Sequence, residues 1–564
     1  MTAVALLGKR KSKKKKPAKK QTCKVVRDKR TGRKKKVCTP AKKRRTTAKK
    51  PAATATTPKL PKPSAAAPPA AKSAPAPSPA TLAAPPAAPA PAPQQPQGPA
   101  PTPDVPRPEL PAPPTPVHGT LSAQDAERLL TRAGFGPRPG DVDRLTGTDA
   151  RAAVQQLTSV QGPAPLTGPE PRDQRGNPID RNNVWGHDHL WWLDRMVRSE
   201  HQLVERMTLV FHDWFATTND DVGNQRLMIA QNETIRANAL GSFLDLATSL
   251  TKDPAMLVFL NGIDNVKGRP NENYARELME LFTLGADRGA YTETDVRELA
   301  RALTGWRADW SDAEGIHNFR FDPKRQDTGS KTLWAGTPYE RRGAYGWEDA
   351  VRLCLEHPFH RSFFVRKLWS YFVPTDPDPQ TQAALEGLYW NSGYQIRPVV
   401  EAILLHPAFY DRAAPLVSPP VVWTAAMLRA RGRTIDTDAW AWRSQQCGQK
   451  LFFPPNVSGW NDQGWLDTAT LKGRWGAAYE ILGAAYANPS QPYSKTETPE
   501  EALAAALQFW SSPTISEETR AELLRYAAAA IPAVLPEWQK SQIRAERQNG
   551  LRHLIATCPD AYLS

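Results

Sequence analysis

The sequence predicts an all-α protein: one large multi-helix globular domain with a small β or irregular insertion, preceded by a disordered basic tail and a Pro/Ala linker. Three observations predict it. Apolar residues recur at helical spacing from about residue 118 to the C-terminus. Residues 51–117 hold 24 prolines among Ala, Ser and Thr, with too few large apolar groups to offset the entropy of ordering a core. Residues 1–50 hold 23 Lys or Arg and a single acid, Asp28. The chain is thus divided into a tail over 1–50, a linker over 51–117 and a helical domain over 118–564.

The net charge of +17 belongs to the tail, which is +22, so residues 51–564 are −5. Lys-rich runs over 9–50 suit a polyanion through counterion release. Wall polymer, anionic membrane and nucleic acid all qualify as that partner. No aromatic residue occurs in 1–50, which argues against base stacking. Proline favours extended backbone, so 51–117 reads as a spacer. No run of about 18 apolar residues exists to span a membrane. Residues 2–8, TAVALLG, resemble the end of a signal-peptide apolar region, but are too short and precede their charges. A start further upstream and a cytosolic start at Met1 both stay open. Cys23 and Cys38 flank a turn-like Arg30-Thr31-Gly32, the pattern of a small hairpin that an exported protein closes with a disulfide. Cys354, Cys447 and Cys558 are isolated, and no CxxC supports a zinc ribbon.

In the domain, Ser122 and Asp125 form a capping box that opens a helix carrying Leu129 and Leu130, closed by Gly134, Gly136 and Pro137. A short helix is expected over 149–157, and Pro, Gly and Asn make 161–183 a loop. Helical periodicity returns over 189–198, over 203–215 with Val204, Met207, Phe211, Trp214 and Phe215 on one face, and over 231–250. Asp253-Pro254 starts another helix. Residues 271–284 place Tyr274, Leu278, Leu281 and Phe282 toward a core, and 293–303 follow. Residues 307–345 break the period and read as a hairpin or irregular insertion. Helices resume over 347–356, 361–372, 380–391, 398–406, 421–431, 469–486, 499–510, 515–530 and 539–556.

The segments LLTRAGFGP, MTLVFHDWFATTND, GRPNENYARELMELFTLG, ARALTGW, FVRKLWSYFV, PAFYD and GQKLFFPPNVSGW occur in that order. Together they closely resemble a bacterial family known as domain of unknown function 1800, over roughly residues 120–480, with further helices over 481–564. The resemblance implies no settled activity. Its members often look exported and are often encoded beside a family that resembles sulfatases and alkaline phosphatases, which implies envelope or extracellular-polymer metabolism. Members tend to carry His before the Asp of FDPKRQD; here that position is Gln326, so chemistry resting on that His would be altered.

Candidate site residues follow from residue type and spacing. Glu205 and His212, seven apart, share a helix face about 10 Å apart along the axis, as an acid/base pair or as packing residues. Glu277, beside core-facing Leu278, is the acid candidate if partial burial raises its pKa, or else a structural ion-pair member. Glu272 and Arg276 make an i,i+4 pair. Asn219, Asp220 and Asp221 suit a hard cation or an ordinary helix-end turn. His187 and His189 flank Asp188 without an evident third metal ligand. Residues 452–460 form an aromatic loop made rigid by two prolines, with Gly459 allowing a tight turn. There Asn456 is a polar positioning candidate and Trp460 a contact residue, with Asn271 and Trp306 in the same two roles elsewhere. No Walker loop, GxSxG or HExxH is present. Metal and cofactor stay unassigned. Three functions are carried forward: an exported or envelope-associated protein that processes (as a hydrolase) or binds an extracellular polymer; a non-catalytic scaffold or binding module; and a cytosolic nucleic-acid-associated protein.

Overall fold

The structure is a computed structural model that describes the backbone of residues 21–27 and 34–40, and residues 119–160, 164–460 and 464–564. The expectations for the rest of the tail and for the linker lie outside the described residues. By backbone contacts the chain divides into two units, Met1–Pro101 and Thr102–Ser564. In the first, β1 (Gln21–Arg27) and β2 (Lys34–Pro40) pair antiparallel, with Cys23 directly opposite Cys38 in the register. The expected hairpin is therefore present in the backbone.

The second unit is built of helices. α1 (Ala123–Arg132) opens with the expected capping box: Ser122 Oγ accepts from the Asp125 N–H, and the Asp125 carboxylate accepts from the Ser122 N–H. α2 (Asp141–Leu145) and α3 (Ala150–Thr158) follow, then α4 (His187–Arg198), α5 (Gln202–Trp214) and α6 (Asn219–Val222). The helix expected over 231–250 is two: α7 (Gln225–Asn238) and α8 (Phe243–Thr251). Its apolar period runs through the break, but Gly241 donates back to the Asn238 carbonyl in a turn, and Ser242 Oγ caps the new helix at Asp245. α9 (Pro254–Phe259), α10 (Asn273–Glu277) and α11 (Glu293–Ala302) complete this half. α10 continues as a π-helical segment, Leu278–Thr283.

The irregular insertion contains two hairpins, β3 (Trp306–Ser311) with β4 (Gly315–Phe321), bulged between Arg307 and Asp309, and β5 (Lys331–Leu333) with β6 (Arg341–Gly343). Then come α12 (Trp347–Glu356), α13 (Pro358–Ser370), α14 (Pro379–Asn391), α15 (Ile396–Leu404), α16 (Pro407–Tyr410) and α17 (Pro420–Ala430). The chain closes with α18 (Ala439–Gln446), α19 (Thr468–Leu482), α20 (Pro499–Phe509), α21 (Glu517–Ala529), α22 (Glu537–Ala556) and α23 (Pro559–Tyr562). The all-α class with a small β insertion holds.

Two apolar cores organise these helices. One gathers α1, α3, α8, the α10 segment and α11 to α16; the other gathers α4, α17, α19 and α20 to α23. α5 contributes Met207, Phe211 and Trp214 to the first core and Leu209 to the second. It has no solvent face: every residue but Val204 and Asp213 is buried.

The end of the π segment shows how interior helix termini are satisfied. The last four carbonyls of a helix have no intrahelical donor. Here Lys367 Nζ donates to the Leu281 oxygen (3.0 Å) and Trp214 Nε1 to Phe282 (3.1 Å). His360 Nδ1 donates to Thr283 (2.8 Å) and Arg288 Nη1 to Leu284 (2.9 Å). A Trp214→Phe variant keeps an aromatic ring in the core but loses part of its volume and orphans the buried Phe282 carbonyl. It is expected to lower unfolding free energy in urea by about 1–3 kcal/mol with unchanged helix content. Wild-type stability in that variant would show that the carbonyl bond contributes nothing.

Candidate functional site

The loop over 451–460 is shaped by its own residues and then tied to α4, α5 and α6. Phe452 and Gly459 both have positive φ, +65° and +95°. Asn456 organises the turn: its Oδ1 accepts the Ser458 N–H (2.8 Å), and its carbonyl accepts the Gly459 N–H (3.2 Å). The Leu451 N–H donates to His189 Nδ1 (3.1 Å), and the Phe452 carbonyl accepts from Asn219 (2.9 Å). Trp460 N–H donates to Asp213 Oδ1 (2.7 Å). A Cβ at position 459 would sit 2.3 Å from that same oxygen, so the site needs glycine for approach as well as for φ.

Asp213 Oδ2 accepts from the Tyr371 hydroxyl at 2.7 Å. Lys367, one turn before Tyr371, holds its ammonium 4.8 Å from the Trp214 ring and 5.6 Å from Phe363 while donating to Leu281. Four of the segments quoted above therefore meet at one junction: those containing Asp213 and Trp214, Leu281 and Phe282, Lys367 and Tyr371, and Trp460. Asp213, Lys367, Tyr371 and Trp460 are each partly exposed there. Burial pushes the Lys367 amine down to about 8, against the opposing effect of the Asp213 carboxylate. None of these three titratable residues stood out in the sequence. Asp213 adjoins His212, and its position in the same motif was the only signal.

The residues singled out in the sequence fall in different places. Glu205 is fully buried between two guanidiniums, Arg195 Nε at 3.1 Å and Arg236 Nε at 2.8 Å, which tie α5 to α4 and α7. Its carboxylate is spent on helix packing and faces no cleft. His212 is fully buried among the rings of Trp192 (5.0 Å), Phe452 (5.7 Å) and Trp460 (5.6 Å). Both its ring nitrogens lack hydrogen-bond partners among the described residues, and burial lowers its pKa to about 3. It is a neutral packing histidine, not poised as a base near pH 7. The shared face expected for Glu205 and His212 is interior throughout.

Glu277 is partly buried, and its side chain forms no hydrogen bond or ion pair among the described residues; burial first, then Glu280, raises its pKa. Glu272 and Arg276 do pair, at 3.3 Å. Asn271 shapes the entry to α10, donating from its backbone to Asn265 Oδ1 (2.9 Å) and accepting the Asn273 N–H (3.0 Å). Trp306 packs against Phe321 and Trp347 in the insertion. Only His212, Asn456 and Trp460 gather at the loop. Asn219 accepts the Asn224 N–H, and Thr218 caps α6, so 218–224 is a helix and its turns. His187 Nδ1 accepts the Asp180 N–H. Among the described residues, no group of three or more His, Cys, Asp or Glu is placed to hold a metal ion.

Fold and junction together define a class: a large two-core helical domain in which four distant segments lock one another. A family model described as a protein of unknown function (DUF1800) matches residues 128–563, and the chain belongs to that family. The match runs past residue 480, so α20 to α23 fall within it. No curated protein and no solved structure gives a match.

Burial of His212 yields a pH dependence. Its folded pKa lies below the unfolded value of 6.5, so its contribution is intact above pH 6.5. As pH falls toward 3, the unfolded state binds the proton and stability is lost. His212→Phe should remove that loss, making stability between pH 7 and 5 fall by about 2 kcal/mol less than in wild type. Parallel wild-type and variant pH profiles in urea titrations would refute the burial effect.

Proposed function

We propose that this protein is an envelope-associated polymer-binding protein, held by its basic N-terminal region to a polyanion and presenting its helical domain to an extracellular glycan. The observation that carries the reading is an aromatic surface. Trp442 on α18 and Trp475 and Tyr479 on α19 are each more than half exposed, as is Trp185 just before α4. α19 repeats Leu471, Trp475 and Tyr479 at four-residue steps, which share one face. α18 and α19 are held together by Arg443 and Glu480 (3.2 Å). α18 meets the start of α4, where a Cβ at Gly186 would lie 4.0 Å from Ala441. Exposed rings beside charged groups suit a ligand with alternating apolar faces and hydroxyls, the pattern of a sugar chain.

The test is retention of the purified protein on insoluble glycans and on isolated cell-wall sacculi. Trp475→Ala/Tyr479→Ala is expected to reduce glycan retention at least tenfold with little change in thermal unfolding. Removal of residues 1–50 should abolish the salt-sensitive part of wall binding. Equal retention by wild type and both variants would refute the reading.

The junction favours a second reading, polymer processing. Lys367, Asp213 and Tyr371 bring an amine, a carboxylate and a phenol to one partly exposed place, with the amine lowered by burial to about 8. Lys367→Met should then abolish turnover of any glycan substrate found, while Lys367→Arg fails to rescue it. Full activity in Lys367→Met would end this reading and leave binding.

A further inference from the structure

A cavity of about 610 Å³, lined by none of the junction residues, lies between α1, α17, the 510–517 segment and the C-terminal residues. Its size falls in the range of about 300–1,000 Å³ typical of small-molecule sites. The floor is apolar: Val422, Ala426, Met427, Ile515, Ile555 and Leu563. Ala426 on α17 and Gly136 meet closely at this floor, where a Cβ on Gly136 would lie 2.8 Å from that of Ala426.

The wall is built rather than incidental. After α20 the chain turns through two consecutive non-glycine residues with positive φ, Ser511 (+66°) and Ser512 (+56°). Such backbone persists where surrounding bonds over-determine it. Ser511 Oγ donates to the Ala430 carbonyl at the end of α17 (3.0 Å), and the Thr514 N–H donates to both Glu127 carboxylate oxygens (3.2 and 3.1 Å). Ser516 Oγ donates to Asp560 (3.1 Å). The segment is thus pinned at α17, α1 and α23.

The rim holds two guanidiniums. Among the described residues the Arg128 side chain has one hydrogen bond, from Nη1 to the Asp411 carbonyl (2.5 Å), and Arg412 reaches Asp125 at 3.8 Å. Each keeps further N–H donors for a ligand. Burial first, and then the neighbouring Arg412 charge, disfavours the Arg128 cation, with Asp411, Asp125 and Glu127 opposing. Of the carboxylates lining the cavity, Glu127 is committed to Thr514 and Asp560 accepts from Ser516. An anion between the guanidiniums would offset the cost to Arg128 and accept the remaining donors of both.

We propose that this cavity binds a single-chain amphiphile, its hydrocarbon tail on the α17 floor and its anionic head, carboxylate or phosphate, between Arg128 and Arg412. The test uses the full-length protein with cis-parinaric acid as fluorescent probe and three competitors of equal chain length: laurate, dodecyl phosphate and dodecanol. Wild type should bind the probe, and an anionic competitor should displace it at least tenfold better than dodecanol. Whichever anion displaces better identifies the head group. Met427→Trp and Leu563→Trp, each filling the floor from a different side, should weaken probe binding at least tenfold with an unchanged circular dichroism spectrum. Arg128→Gln/Arg412→Gln should weaken the anions tenfold and leave dodecanol unaffected. No probe binding by wild type, or binding that both fillers leave intact, overturns the site. Equal displacement by dodecanol overturns the head-group assignment.

Discussion

Carbonyl groups at the ends of interior helices are the constraint on which this architecture depends. A domain made of many helices, most of them ten residues or fewer, has many C-termini, and each leaves carbonyls that no intrahelical N–H reaches. Where those ends are buried, donors must come from elsewhere in the chain. Arginine, with five donors in a rigid fork, meets the need most often. Arg132 alone serves the carbonyls of Phe372, Phe409, Ala414 and Ser564, joining α1 to three later segments. Arg429 does the same for Gly136 and Val197, and Arg433 for Glu480 and Ile481. Burial lowers the pKa of Arg132 and Arg429 to about 9, still high enough to leave both charged at neutral pH.

α5 is the other half of the arrangement. Lying between two cores, it has almost no surface on which to place its polar residues, and they are accommodated in different ways. Glu205 takes two guanidiniums; removing either partner would leave a buried charge, which is costly out of proportion to the pair's net contribution. His212 is accommodated by becoming neutral. Asp213, at the helix end, is partly exposed, and it is the residue that reaches outward to Tyr371 and the Trp460 backbone.

Local features were legible in the sequence and distant pairings were not. The capping box at Ser122 and Asp125 spans four residues and needs no partner, so it reads directly. The break at Gly241 was hidden because Leu240, Phe243 and Leu244 keep the apolar period across it. α18 was missed because AWAWRSQQ has little amphipathic contrast. The insertion was visible as a loss of helical period, although its two hairpins were not separable. At the site, the segments themselves were recognisable, but which side chains they bring together depends on bonds spanning 158 and 247 residues. His212 drew attention because histidine so often does chemistry near neutral pH. The fold turns it inward instead, and aims its neighbour Asp213 at the junction.

The four donors on the π segment differ in what their protonation does. Arg288 is always charged, and Trp214 never titrates. His360 donates from Nδ1 and accepts the Tyr389 hydroxyl at Nε2 (2.9 Å), so it is committed as a neutral ring. Lys367 alone can lose a proton without losing its bond, because a neutral amine still has two N–H donors for the Leu281 carbonyl. Its side chain is therefore held in one place in either protonation state, while desolvation lowers its pKa to about 8, so that a minor neutral fraction exists at neutral pH. A π segment, rare in helices and frequent at functional sites, displaces the carbonyls that hold it there. Fixed position with exchangeable charge is what a proton-transfer group requires, and at this junction the same contact that completes the fold supplies it.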